Sequence, residues 1–120
     1  MLSSCFSGQG SWVEIDLSRL RKNFQWIRGK IAPGTKIMAV VKADAYGHGL
    51  VAVARELVNL KTTALAVSSI EEAILIRKKV STDLPVVLLL GLLPEEIPAC
   101  LRYHLTPILY DSEMALKLNQ

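Results

Sequence analysis

The sequence has 120 residues, which is enough for one modest domain, and 51% of them are hydrophobic. Its net charge of +3 is small, and the basic residues are spread without an interleaved basic-aromatic patch, so we expect no nucleic-acid partner. The longest apolar run, residues 86–93, is far shorter than a bilayer span, so we expect no membrane association.

The first predicted elements are a helix, a strand and a second helix. Asp16 or Ser18 can cap the first helix, and Pro33-Gly34 ends it. Its apolar side chains fall on one face at helical spacing: Leu17, Leu20, Phe24, Ile27 and Ile31. A β-branched apolar run from residue 37 then predicts a buried strand that ends on Lys42, and residues 50–60 are predicted to be helical.

The next elements continue the alternation. Residues 64–68 are predicted to form a strand, and Ser69-x-x-Glu72 makes a capping box for a helix that runs to about residue 80. We interpret Glu71 and Glu72 as a helix cap and a solvated face. Residues 86–90 are predicted to form a third strand.

The last elements are a short helix, a strand and a final helix. Pro94 suits the start of the short helix, although Pro98 disturbs its first turns. Residues 105–110 predict a fourth strand, and Asp111 or Ser112 can cap the final helix. Four strand-helix units of this kind imply a parallel sheet with right-handed crossovers. Alternation alone fits both an open doubly wound sheet and a (β/α)8 barrel.

The segment from residue 37 to residue 49 carries the clearest chemical signal. A lysine amine at the end of a buried strand suits covalent chemistry with a carbonyl group, because partial desolvation favours its nucleophilic form. Gly47 and Gly49 follow Lys42 and allow backbone N–H groups to approach an anion. A Schiff-base lysine beside a phosphate site suits pyridoxal 5'-phosphate (PLP). The simpler alternative is a solvated lysine before an ordinary strand-to-helix turn.

Residues 40–49, Val-Val-Lys-Ala-Asp-Ala-Tyr-Gly-His-Gly, resemble the PLP-lysine signature of the alanine racemase family. The resemblance extends to residues 11–17 with Leu20 and Asn23-Phe24. It also includes residues 64–67 with Glu71-Glu72-Ala73 and Arg77, and residues 85–91. It therefore runs from about Ser11 to the end of the sequence, and residues 1–10 carry no recognisable signal.

The resemblance implies an α/β fold of the TIM type. Residues 11–120 would form the first half of a (β/α)8 barrel, with four β-α units after a leading strand and helix. Residues 1–10 would be an unassigned tail. The last helix has neither a glycine cap nor a proline stop, so we expect the amino-terminal portion of a longer protein. Half a barrel leaves two apolar edges unpaired.

The resemblance also implies a function. Lys42 would hold PLP and act as one of two acid-base groups in the racemisation of alanine, which supplies D-alanine for peptidoglycan. Tyr46 would lie near the cofactor phosphate, and Val40 and Leu90 would line the cofactor pocket, although core packing is the simpler interpretation of these two. The second acid-base group in the family is a tyrosine of the partner subunit in a homodimer, and nothing in this sequence matches it.

Some alternatives and smaller assignments complete the sequence-based predictions. The chain could instead be a PLP-binding protein of the related single-barrel type, or a remnant with no function of its own. Serine or another amino acid could replace alanine as the substrate. Asp44 and His48 match the motif, and we expect them to have structural roles in the turn. Cys5 and Cys100 lie outside any metal-ligand spacing, so we predict free thiols in a reducing cytoplasm and no metal site.

Overall fold

The computed structural model describes residues 10–80 and 82–119. Most of the predicted tail, including Cys5, lies outside these residues. Each strand of the described chain is followed by helix before the next strand, as the sequence predicts, and two helices follow the first strand. Their order is α1 (Leu17–Arg28), β1 (Met38–Val40), α2 (Lys42–Gly47), α3 (Leu50–Asn59), β2 (Ala64–Val67), α4 (Ile70–Lys79), β3 (Val86–Leu88), a 3-10 turn (Pro94–Glu96), α5 (Ile97–Arg102), β4 (Thr106–Pro107) and α6 (Ser112–Leu118).

The four strands form one parallel sheet in the order β1-β2-β3-β4, so each strand pairs with its neighbour in the sequence. The register aligns four residues in one row across the sheet: Val40, Ala66, Val87 and Thr106. The predicted parallel sheet is therefore confirmed. The third and fourth strands are shorter than predicted, since β3 ends at Leu88 and β4 contains two residues.

The core lies between one face of this sheet and helices α3 and α4. Strand side chains alternate between the two faces, and those on the helix-covered face include Leu65, Val67, Val86 and Leu88, all at most 1% exposed. They pack with the buried side chains of the helices, among them Val53, Leu57, Ala73 and Ile76. Helices thus cover one face of the parallel sheet, and the apolar side chains of that face form the core.

Arg77 connects the carboxyl end of α4 to the two loops that precede β3 and β4. Its guanidinium donates hydrogen bonds to four backbone carbonyl oxygens, those of Thr82, Leu84, Tyr103 and His104, at 2.9–3.1 Å. Burial lowers the pKa of Arg77, and the charge of Asp83 opposes this effect. The side chain therefore satisfies carbonyl groups that the short strands leave without ladder partners.

Helix α1 begins where the sequence predicts and ends earlier. The Asp16 carboxylate accepts hydrogen bonds from the backbone of Ser18 and Arg19, so Asp16 is the N-cap. The helix ends at Arg28, before the Pro33-Gly34 stop. Ile31 consequently lies outside the helix, and Phe24 is the one α1 side chain that is fully buried.

The predicted leading strand is absent from the described residues. Residues 10–16 have no regular secondary structure and pair with no strand of the sheet. Trp12 and Val13 are more than 80% exposed. A strand needs a neighbour for its N–H and C=O groups, and no neighbouring strand lies beside this segment in the described chain.

Three further observations concern membrane spans, metal ligands and the cysteine of the described chain. Among the described helices, none is long and apolar enough to cross a membrane. The described residues also contain no group of three or more potential metal ligands. Cys100 is a free and buried thiol, and its pKa is raised by burial and, secondarily, by the negative charge of Glu96.

Candidate active site at the carboxyl end of the sheet

The element α2, which follows β1, is a turn of left-handed helix rather than an ordinary α-helix. Ala43, Asp44, Ala45 and Tyr46 have φ angles of 52–56° and ψ angles of 38–54°. These values match the left-handed helical region, which L-residues visit at a cost of about 1–2 kcal/mol per residue. Four consecutive residues of this kind are unusual, and strained backbone of this type clusters at functional sites. The sequence analysis predicted a turn here but not its hand.

Hydrogen bonds from the turn's own polar groups hold this conformation. The Asp44 carboxylate accepts the Leu50 backbone N–H at 2.7 Å, which caps α3 across the intervening loop. The His48 ring nitrogen Nδ1 lies 2.8 Å from the Ala45 carbonyl oxygen, and the Gly49 N–H donates to the Asp44 carbonyl oxygen at 2.9 Å. The predicted structural roles of Asp44 and His48 in the turn are confirmed.

The Glu72 carboxylate connects this turn to the start of α4. The Ser69 hydroxyl caps α4 by accepting the Glu72 N–H at 3.3 Å, as the capping box predicts. The carboxylate does not complete that box by returning to Ser69. Instead, Oε1 accepts the Asp44 N–H at 3.1 Å, and Oε2 accepts the N–H and the hydroxyl of Ser68 at 3.2 and 3.3 Å. The interpretation of Glu72 as a cap or a solvated residue was therefore incomplete.

Lys42 occupies the position between the sheet and the turn. It is half-buried and follows β1 by two residues, which places it at the carboxyl edge of the sheet. Within the described chain, its ammonium makes no ion pair and no hydrogen bond. No carboxylate of the described residues therefore balances the charge of this side chain.

The other predicted site residues are distributed around this edge. Val40 is 37% exposed on the sheet face that the helices leave open, and Tyr46, at 58% exposed, projects from the left-handed turn. Both line a cleft of about 1450 Å³ between α1 and the free edge of β1. Lys42 and Leu90 do not line that cleft. Leu90 lies beyond the end of β3 and is 72% exposed, so its predicted strand position is wrong.

A tyrosine that the sequence analysis did not select lies after β4. The Tyr110 hydroxyl donates to the Leu89 carbonyl oxygen at 2.6 Å, which ties the loop after β4 to the end of β3. Gly91 has a φ of 86°, and a Cβ there would lie 2.9 Å from the Tyr110 ring. The positive φ already favours glycine at this position, and the short distance to the Tyr110 ring adds a steric reason.

The fold and the site define a class of protein. A parallel α/β sheet wound in chain order carries a lysine just after the carboxyl end of its first strand, which is where barrel enzymes place catalytic groups. A family model described as alanine racemase, N-terminal domain, matches residues 15–120. The chain therefore belongs to the alanine racemase family, and it contains the N-terminal part of the family's domain.

Individual relatives agree with this assignment. The chain is 44% identical over 109 residues to alanine racemase of Syntrophobacter fumaroxidans, covering 91% of this chain and 29% of the relative. Alanine racemase of Clostridium difficile superposes with a TM-score of 0.84 at 37% identity, over 88% of this chain and 27% of the other. Alanine racemase from Bartonella henselae with covalently bound pyridoxal phosphate superposes with a TM-score of 0.73 at 28% identity, over 79% and 27% of the two chains.

These comparisons specify the fold more closely. The four parallel strands and their helices are the first half of a TIM-type barrel, as the sequence resemblance implied. The chain spans about 29% of the length of the first relative.

Proposed function

We propose that this chain provides the PLP-bearing lysine of an alanine racemase that interconverts L-alanine and D-alanine. The observation that carries the proposal is the position of Lys42, which is half-buried just after the carboxyl end of β1 in a member of this family. Residues 11–120 would be the amino-terminal part of the PLP-binding barrel, and residues 1–10 a tail.

The residues present fit PLP by their chemistry. The Lys42 amine can bond covalently to the cofactor aldehyde, and no carboxylate of the described residues forms an ion pair with it. The exposed phenol of Tyr46 can donate a hydrogen bond to a phosphate oxygen. Val40 and Leu90 offer exposed apolar surface at the same end of the sheet, where a planar ring can pack.

In this proposal, PLP supplies the electron sink that makes removal of an amino-acid α-proton feasible. Lys42 holds the cofactor between turnovers, and its Nζ then accepts or returns the α-proton on one face of the substrate. Tyr46 orients the cofactor through the phosphate. The proton donor for the opposite face would come from the partner subunit of a homodimer. The product would be D-alanine for peptidoglycan in the cytoplasm.

Covalent labelling of the purified chain tests the role of Lys42. After incubation with PLP and reduction with borohydride, peptide mapping should find the pyridoxyl group mainly on Lys42. Lys36, exposed and just before β1, is the internal control for non-specific labelling. Lys42→Ala should remove the main label, and Lys36→Ala should leave it. Equal labelling of Lys36 and Lys42 would contradict the proposal for this chain.

Activity provides the second test. The isolated chain should show no racemisation, because it lacks the opposite-face proton donor. In a longer protein that contains this segment, Lys42→Ala should abolish D/L interconversion of alanine, while normal turnover in that variant would refute the assignment. Retained PLP binding with no turnover in the unmodified longer protein would favour a PLP-binding protein without catalytic activity.

A further inference from the structure

We infer that Glu72 is a positioning residue for Lys42, because its carboxylate fixes the left-handed turn that begins directly after this lysine. The inference rests on the proposed function for the role of Lys42 itself. Its structural part, the stabilisation of the turn by Glu72, can be tested without cofactor.

The hydrogen-bond pattern between β1 and β2 shows what the carboxylate replaces. In a parallel ladder, a residue uses its N–H and its C=O to bond two residues of the neighbouring strand. Its N–H donates to the carbonyl of one residue, and its C=O accepts from the N–H of the residue two positions further along that strand. The Val41 N–H donates to the Ala66 carbonyl at 2.8 Å, so continuation of the ladder would require Ser68 N–H to donate to the Val41 carbonyl. That carbonyl is instead occupied by the Ala45 N–H of the left-handed turn, at 2.9 Å.

The turn therefore leaves the Ser68 N–H, directly after β2, without a ladder partner, and the Glu72 carboxylate accepts its hydrogen bond. Oε2 takes the Ser68 N–H, and Oε1 takes the Asp44 N–H on the opposite side of the divergence. One carboxylate thus joins the two chain segments at the point where they separate. Lys42 lies between Val41 and the anchored turn, so the direction of its side chain depends on this connection.

A carboxylate is the appropriate group for this position. Both of its oxygens accept hydrogen bonds, whereas the amide of glutamine has one acceptor and one donor, so glutamine cannot serve N–H groups on both sides. Glu72 also lies in the first turn of α4, where negative charge is favoured by the helix dipole. Its neighbour Glu71 is exposed and makes no hydrogen bond within the described residues, so it is a matched control.

The experiment compares Glu72→Gln, Glu72→Ala and Glu71→Gln in the 120-residue chain. Amide hydrogen exchange by NMR, without PLP, should show exchange at Asp44 and Ser68 faster by about tenfold in Glu72→Ala, as expected for the loss of one local hydrogen bond. Glu72→Gln should affect at least one of the two amides. The core amide of Ile76 should keep its protection in every variant, and Glu71→Gln should match the unmodified chain.

Labelling with PLP and borohydride is the second measurement. The ratio of label on Lys42 to label on Lys36 should fall several-fold in both Glu72 variants and stay constant in Glu71→Gln. Unchanged exchange at Asp44 and Ser68, or an equal effect of Glu71→Gln, would overturn the inference. Uniformly faster exchange that includes Ile76 would also overturn it, since Glu72 would then be a general stability residue.

The two proposals fail in different ways. If the unmodified chain shows no preference for Lys42 in labelling, the proposed function fails for this chain, and exchange at Asp44 and Ser68 still decides the role of Glu72 in the turn. If Lys42 is labelled selectively and Glu72→Gln leaves both the exchange and the labelling unchanged, the positioning role fails alone.

Discussion

Replacement of Ala43 by glycine should stabilise the protein, which is the reverse of the usual effect of glycine in a helical segment. Ala43 is exposed and has a φ of 52°, in the left-handed turn after β1. An L-residue pays about 1–2 kcal/mol to adopt this conformation, and glycine does not. Glycine loses about 0.5–1 kcal/mol more backbone entropy on folding than alanine does. We therefore expect Ala43→Gly to raise the free energy of unfolding by about 0.5–1 kcal/mol.

Ala52 provides the matched control. It is also an exposed alanine, but it lies in α3, a right-handed helix, where glycine costs about 1 kcal/mol relative to alanine. The free energy of unfolding should thus rise in Ala43→Gly and fall in Ala52→Gly, relative to the unmodified chain. The two variants should differ from each other by about 1.5–2 kcal/mol. Urea unfolding followed by circular dichroism measures both values. If Ala43→Gly lowers the free energy of unfolding as much as Ala52→Gly does, the left-handed geometry is refuted.

Two further variants test other parts of the fold. Arg77→Met should lower the free energy of unfolding by about 3 kcal/mol, because three part-buried carbonyl acceptors lose a partner at about 1 kcal/mol each. Arg55→Met is the control, since it breaks one exposed hydrogen bond to the Lys79 carbonyl. In the same urea titration it should lower the free energy of unfolding by less than a third of the Arg77→Met value. Asp16 has a pKa lowered mainly by its hydrogen bonds from Ser18, so its contribution to stability should be complete above its unfolded pKa of about 3.9 and be lost as the pH falls through the lower folded value. Asp16→Asn should make the stability of the chain less dependent on pH in that acid range, and an unchanged acid dependence would contradict this.

The order of helices and strands could be predicted from the sequence because its signals are local. Asp16, Ser69 and Asp111 act as N-caps in the structure, and α3 spans almost the predicted residues. Strand ends were less predictable. The apolar run that contains β3 continues beyond its end, and the run that contains β4 begins before its start. A strand forms only where a neighbouring strand completes its hydrogen bonds, and the extent of that pairing depends on the register of the sheet.

The hand of the turn after Lys42 could not be predicted from local preferences. Alanine is the strongest former of right-handed helix, and two of the four left-handed residues are alanines. Hydrogen bonds of the turn's own polar groups hold the conformation, and one from a distant residue, between the Glu72 carboxylate and the Asp44 N–H, adds to them. Lys42 stands in a recognisable sequence motif, whereas Glu72, whose carboxylate contacts the turn after Lys42, lies far from it in the sequence.

The sequential strand order also affects how the chain acquires its structure during synthesis. Each strand pairs with the one made just before it, as when Ala66 joins Val40 and Val87 then joins Ala66. Within the described sheet, each newly exposed strand therefore finds its partner already emerged from the ribosome. Such short-range pairing lowers the contact order and favours folding from the amino terminus onward. Lys42, which follows β1 by two residues, would then be placed among the first ordered parts of the chain.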